Sequence, residues 1–160
     1  MTTIVWDGKI LAADGRATYS SGLIVSTDAV KIFKGKAGMC IKGEQVIAWA
    51  MAGNFSTVDL IEEWLLDGAD FDTEFPEDAG FQVLVVTEEH AYSSYDEAFG
   101  WIPHHNSGVL GSGTEAALSA LAFGKNAIEA VQHAMKLDTG TGGTIRYMNC
   151  RDGKHILKSL

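Results

Sequence analysis

The sequence predicts a mixed α+β domain built as a four-layer αββα sandwich. Three observations predict it: β-rich runs fill the first third, one helical segment then separates them from further strands, and two consecutive helices precede a closing hairpin. Helices from separate stretches must cover the outer faces of two packed sheets. The 160 residues fit one domain spanning 1–160, with no repeat, linker or low-complexity segment to divide it.

Each element has its own signal. Thr2 to Trp6 is a short β-rich run that ends at Asp7-Gly8, a hairpin dipeptide, and Lys9 to Asp14 is its partner. Gly22 to Ser26 and Ala29 to Phe33 are extended, and Met39 to Lys42 and Gln45 to Met51 pair around Gly43-Glu44, which makes a meander of about six strands. Asn54 or Ser56 caps a helix whose Val58, Ile61, Trp64 and Leu65 recur at helical spacing until Asp67-Gly68. The acidic stretch Ala69 to Ala79, with Pro76, reads as a loop. Phe81 to Thr87 is apolar apart from Gln82 and predicts a strand buried on both faces, with His90 to Ser94 as its hairpin partner and Val109-Leu110 ending another strand. Helices follow from about Thr114 to Phe123, stopped by Gly124, and from after Asn126 to about Leu137, with Ile128, Val131, Ala134 and Met135 on its apolar side. Thr144 to Cys150 and His155 to Leu160 close the chain as a hairpin around Asp152-Gly153.

Composition narrows the function classes. Apolar residues make up 46% of the chain, enough for a real core, and the formal net charge is -9. That surplus repels phosphate backbones and anionic lipid, which argues against nucleic-acid and membrane-surface partners. No basic-then-apolar leader and no membrane-length apolar run is evident, so the expected location is the cytoplasm. Cys40 and Cys150 lie in apolar, strand-like runs and read as buried structural thiols of a reducing compartment.

Met1 precedes Thr2, a residue small enough for methionine aminopeptidases to act before it. Removal of Met1 would leave a hydroxyl and a free α-amine on one residue. An α-amine has a pKa near 7.7–8.0, so part of it is neutral at physiological pH and can accept the hydroxyl proton. Other constellations are weaker. His104-His105 project apart from an extended loop without further ligands at metal spacing, so no metal is expected. Gly140 to Gly143 lacks the Gly-Lys-Ser/Thr ending of a phosphate loop.

Beginning at Thr2-Thr3-Ile4-Val5, then Gly8 and Ala12 to Thr18, the sequence resembles the opening of proteasome β subunits and of the proteasome-like peptidase HslV. The resemblance continues through Val30-Lys31-Ile32, Met51-Ala52-Gly53, Gly111-Ser112-Gly113, Asp138 and Thr141-Gly142-Gly143, in family order across almost the whole chain. It implies an N-terminal nucleophile hydrolase of the threonine peptidase type, needing no cofactor, assembled as a homo-oligomeric ring that cleaves unfolded polypeptide or peptides. Two long helices normally follow the Gly53 region in that family; here the second is reduced or lost, which leaves ring size and an ATPase unfoldase partner open. The small size also resembles compact relatives encoded by bacteriophages.

The resemblance assigns roles residue by residue. Thr2 would be the nucleophile, Lys31 would lower the pKa of its hydroxyl, and Asp14 would hold Lys31 charged and oriented. Gly53 would offer its backbone N–H to the oxyanion. Ser112, Asp138 and Thr141 would surround the α-amine and position water. Thr18, Met51 and Gly53 would line the substrate, which adds as a strand, and Arg16 would serve as a structural ion-pair partner. Read by themselves, the same residues have plainer uses: Lys31 as a solvated strand lysine, Asp14-Gly15 and Gly53 as turns, Ser112 as a helix N-cap, Asp138 and Thr141 as helix-exit residues. Two rival functions accompany the peptidase: a catalytically silent assembly or virion component, and an amidase for small molecules on the same fold.

Overall fold

The hairpin dipeptide Asp7-Gly8 joins β1 (Thr3–Trp6) to β2 (Ile10–Ala13), pairing Ile4 with Ala13 and Trp6 with Leu11. A computed structural model describes all 160 residues. The chain continues through β3 (Ala17–Thr18), β4 (Ile24–Ser26), β5 (Ile32–Lys34), β6 (Cys40–Ile41) and β7 (Glu44–Gly53). A 3-10 turn (Phe55–Thr57) leads into α1 (Val58–Leu66), followed by β8 (Phe81–Thr87), β9 (Ala91–Tyr95), β10 (Ile102–Pro103) and β11 (Gly108–Gly111). Then come α2 (Thr114–Ala122), α3 (Ala127–Leu137), β12 (Arg146–Asn149) and β13 (Leu157–Ser159).

All strand pairs are antiparallel. The first sheet runs β11-β1-β2-β12-β13, the second β10-β9-β8-β7-β5 with β6 paired to β7, and β3-β4 form a separate ribbon. The expected single meander is therefore split: β1 and β2 belong to one sheet and β5 to β7 to the other. Period-2 patterning reveals a strand but not its partner, which is why the division was not legible.

Three apolar clusters hold the elements together. Ile4, Trp6, Leu11 and Ala13 of the first sheet meet Ile32, Ala48, Ala50, Leu84 and Val86 of the second. Val5 and Ala12, on the opposite face of the first sheet, meet Ala117, Ala120, Ala127, Ala130, Val131 and Ala134 of α2 and α3. Trp49, Met51, Val83 and Val85, on the other face of the second sheet, meet Ile61, Trp64 and Leu65 of α1. Strand β8 is thus buried on both faces with Gln82 exposed, as its composition predicts. The buried stripe of α3 is Ala127, Ala130, Val131 and Ala134, smaller than the expected Ile128–Met135 face, because alanines let a helix approach a sheet closely.

Local chemistry explains the ends. Asn126 and Glu129 form a complete capping box on α3, and Asn54 caps the 3-10 turn by accepting from the Ser56 N–H. The β6–β7 hairpin turns at Lys42-Gly43, one residue earlier than expected. Both residues have positive φ (51° and 81°), which a two-residue turn of the favoured hand requires. Residues 67–80 form no helix, and aromatic packing pins them: Phe71 and Phe75 set their edges on Trp64, whose Nε1 donates to the Asp70 carbonyl at 2.8 Å. Cys150 is buried, with its thiol pushed up to about 12 by desolvation. Cys40 is exposed on the short strand β6, contrary to the expectation of two buried thiols.

Gly53 ends β7 at φ 108°, and a Cβ there would lie 2.1 Å from the Gly80 carbonyl oxygen. Gly53→Ala should therefore destabilise the fold by at least about 1–3 kcal/mol from backbone strain alone. Chemical denaturation checks this, and an unchanged midpoint would show that β7 and β8 can separate without penalty.

Candidate active site

The register of the first sheet assembles the site. Pairing Thr3 with Gly111 sets Thr2 beside Ser112, whose Oγ reaches the Thr2 carbonyl at 3.4 Å. Pairing Ala13 with Arg146 sets Asp14 beside the loop that follows α3, and the Gly15 N–H donates to the Gly142 carbonyl at 2.9 Å. The N-terminal end of the chain and three loops thereby converge.

Asp14 is the hub of a buried charge network. Its Oδ1 accepts from Lys31 Nζ at 2.8 Å and the Thr3 N–H at 2.9 Å; its Oδ2 accepts from the N–H groups of Gly142 (2.9 Å) and Arg16 (3.1 Å). Lys31 Nζ also donates to the Arg16 carbonyl at 2.6 Å. Both side chains of the pair have 0% exposure, so Lys31 is no solvated strand lysine and Asp14 no mere turn residue. Burial pushes the Lys31 pKa down; the charge and hydrogen bond of Asp14 oppose that shift, and the charge of Arg16 adds to it. The outcome is an ammonium that holds its proton less tightly than an ordinary lysine.

A second cluster lies against the first. Ser112 Oγ and Thr141 Oγ1 donate to Asp138 Oδ2 at 2.6 and 2.5 Å, and the Gly140 N–H donates to Oδ1 at 3.2 Å. Burial alone would raise the Asp138 pKa, but these hydrogen bonds and the nearby N-terminal ammonium outweigh it and hold the carboxyl below its ordinary value near 3.8. Ser112 is not the cap of α2, a position that falls to Gly113 without a side-chain bond. Thr3 joins the clusters: its N–H binds Asp14 and its Oγ1 lies 2.6 Å from Thr141 Oγ1. Sequence reasoning missed Thr3, because a second threonine in a strand carries no signal of its own.

A carboxyl with a depressed folded pKa stabilises above its unfolded value and loses that contribution as pH falls through the folded one. Asp138→Asn should therefore flatten the loss of stability below about pH 4, which thermal melts across an acid series would measure. An acid slope identical to that of the parent would remove Asp138 from this linkage.

Thr2 adjoins these clusters, whereas Gly53, Thr18 and Met51 make no side-chain hydrogen bond to them. Thr2 is buried, and its Oγ1 donates to the Met1 carbonyl at 2.8 Å. Gly53 lines an open groove of about 330 Å³ with Gly80, Phe81, Gln82, Tyr95 and Asp96; Gln82 bridges to β11 by accepting from the Gly111 N–H at 3.2 Å. Thr18 is half-buried in the β3–β4 ribbon, outside both clusters. Met51 is fully buried against α1, so its side chain packs the core and does not face a substrate. Arg16 has no carboxylate partner: its guanidinium donates to the Thr139 carbonyl at 2.6 Å and covers Gly142, where a Cβ would lie 2.5 Å from it. It clamps the loop carrying Asp138 and Thr141, and is not an ion-pair partner.

No group of three or more His, Cys, Asp or Glu side chains is placed to hold a metal. His104 is half-buried, with Nε2 2.8 Å from Ser93 Oγ, and is therefore more than a loop histidine. No helix is long and apolar enough to cross a membrane.

No protein-family model and no curated protein sequence matches the chain. Among solved structures, the eukaryotic HslV from Trypanosoma brucei superposes with a TM-score of 0.64 over 91% of this chain and 96% of that one, at 14% identity. At that identity the likeness is one of fold, and the chain has an HslV-like fold.

Proposed function

We propose that this chain is a threonine peptidase of the N-terminal nucleophile type, an αββα sandwich that becomes active when Met1 is removed. The observation that carries the reading is the fully buried Lys31–Asp14 pair, bonded to the backbone of the residue next to Thr2. Burying two charges is a poor route to stability, so a pair without solvent contact points to tuning of a neighbouring group. The HslV-like fold, with three apolar clusters between helices and sheets, supports the same reading.

The free Thr2 amine takes the Oγ1 proton as Oγ1 attacks the substrate carbonyl, and the Lys31 ammonium stabilises the alkoxide that develops. The Gly53 N–H faces the oxyanion. Collapse of the tetrahedral intermediate passes the proton from the Thr2 ammonium to the leaving amine and leaves an ester on Thr2. Water, deprotonated by the same amine and oriented by Ser112, Asp138 and Thr141, hydrolyses that ester. Substrates are unfolded polypeptides or peptides, Thr18 and Gly53 flank them, and the chain works as a cytoplasmic homo-oligomeric ring that an ATPase unfoldase would feed.

One contact favours a second reading, a silent structural relative. A Cβ at Gly140 would lie 2.3 Å from Met1 Cβ, and Gly140 has no positive φ to require glycine, so the bare backbone there leaves room for a retained Met1. Intact mass before and after a peptide epoxyketone decides between them, because that reagent closes a ring on both the hydroxyl and the amine of an N-terminal threonine. Loss of Met1 with one adduct is expected; retained Met1 with none would transfer the reading to the silent relative.

A further inference from the structure

We propose that the β9–β10 turn carrying Phe99 docks into the groove between α2 and α3 of a second copy of this chain, forming a head-to-tail contact. Phe99 is 98% exposed, with Tyr95 and Ile102 about half exposed beside it. The turn does not present this ring by fraying. The Ala98 N–H donates to the Tyr95 carbonyl at 3.0 Å, Ser94 Oγ to the Gly100 carbonyl at 3.2 Å, and Asp96 accepts from the Gly80 N–H at 3.1 Å. Next to it, Trp101 stacks on Trp64 and anchors the turn to the core. A fixed aromatic ring left in water forgoes about 1.5–3 kcal/mol that burial would recover.

Charge selects the occupant. Between Glu44 and Gly124 there is no lysine or arginine, yet that span carries fifteen of the 21 acidic residues, including Asp96 and Glu97 beside Phe99. The rest of the chain holds all 12 basic residues against six acidic ones. The α2/α3 groove, about 360 Å³, is lined on its α3 side from the basic part: Lys125, His133 and Lys136 flank an apolar floor at Ala120, and Phe123 stands 84% exposed at its edge. Glu129 partly neutralises Lys125 at 3.7 Å, whereas Lys136 has no ion-pair partner. The acidic, aromatic turn and the basic, apolar groove complement each other.

The two patches lie on different layers. Strand β10 is the edge of the second sheet, while α2 and α3 pack on the first. A contact between unlike patches is heterologous, and it propagates from copy to copy until rotation closes a ring. It is independent of the chemistry proposed for Thr2, so an epoxyketone adduct and this contact succeed or fail separately.

Sedimentation velocity of the full chain tests it. The parent should assemble at micromolar concentration and dissociate as salt rises. Phe99→Ser and Lys136→Glu should each weaken assembly on the order of tenfold or more, and Glu97→Lys should restore it in the Lys136→Glu background. All three sites are exposed, and unchanged melting curves would verify folding. In a Cys40→Ser background, Glu97→Cys and Gln132→Cys proteins should form an interchain disulfide when mixed and neither alone. A monomeric parent, assembly indifferent to Phe99→Ser, or no disulfide in the mixture would overturn the contact.

Discussion

Lys31→Ala is expected to lower peptide hydrolysis about 10²–10⁴-fold and to destabilise the fold together. The activity loss follows from removing the charge proposed to stabilise the Thr2 alkoxide. The stability loss follows from leaving Asp14 buried without its counter-charge, for which about 3–5 kcal/mol is typical. Asp14 keeps three backbone N–H donors, from Thr3, Arg16 and Gly142, so the lower end of that range is expected. The double variant Lys31→Met/Asp14→Asn separates the effects. It removes both charges while preserving much of the shape, so stability should largely recover while activity stays lost. Denaturation and a fluorogenic peptide assay on the same samples measure both, and a double variant that hydrolyses peptide at the parental rate would remove the pair from the mechanism.

Thr2→Ala should reduce turnover to the uncatalysed level and prevent the epoxyketone adduct, with little change in melting. The hydroxyl makes no hydrogen bond deeper in the fold: its one partner is the Met1 carbonyl, which leaves with Met1. Thr2→Ser keeps the oxygen and a residue small enough for Met1 removal, and should retain both adduct and measurable turnover. Because the methyl group is also buried, serine frees the hydroxyl to rotate and should lower the rate. Equal activity in the parent and Thr2→Ala would end the peptidase reading and turn attention to the silent relative.

How far the sequence alone reaches is clear from particular elements. The helices 58–66, 114–122 and 127–137 are legible because 3.6-residue spacing and stop signals lie within a dozen residues, although only α3 carries a side-chain cap. So are β8 and the loop after α1. The ribbon β3–β4 and strand β10 were only partly legible or not at all, since two- and three-residue strands exist only because a partner is present. The sequence suggests an ion-pair partner for Arg16 because charge is visible in a sequence and a carbonyl partner is not. The resemblance puts Met51 on a substrate surface, but alternation along β7 sends its side chain to the α1 side of the sheet.

By itself the sequence determined which segments become helices and strands, and which residue types capable of chemistry the chain possesses. Those properties depend on neighbours along the chain. Only the tertiary structure decided that Thr3, Asp14, Lys31, Ser112, Asp138 and Thr141 form one connected hydrogen-bond network, buried at Thr3, Asp14, Lys31 and Thr141 and open to solvent at Ser112, while Met51 and Thr18 stand apart from it. Hydrogen bonds and desolvation act over a few ångströms in space, and residues more than a hundred positions apart come within that range only after the strands have chosen their partners.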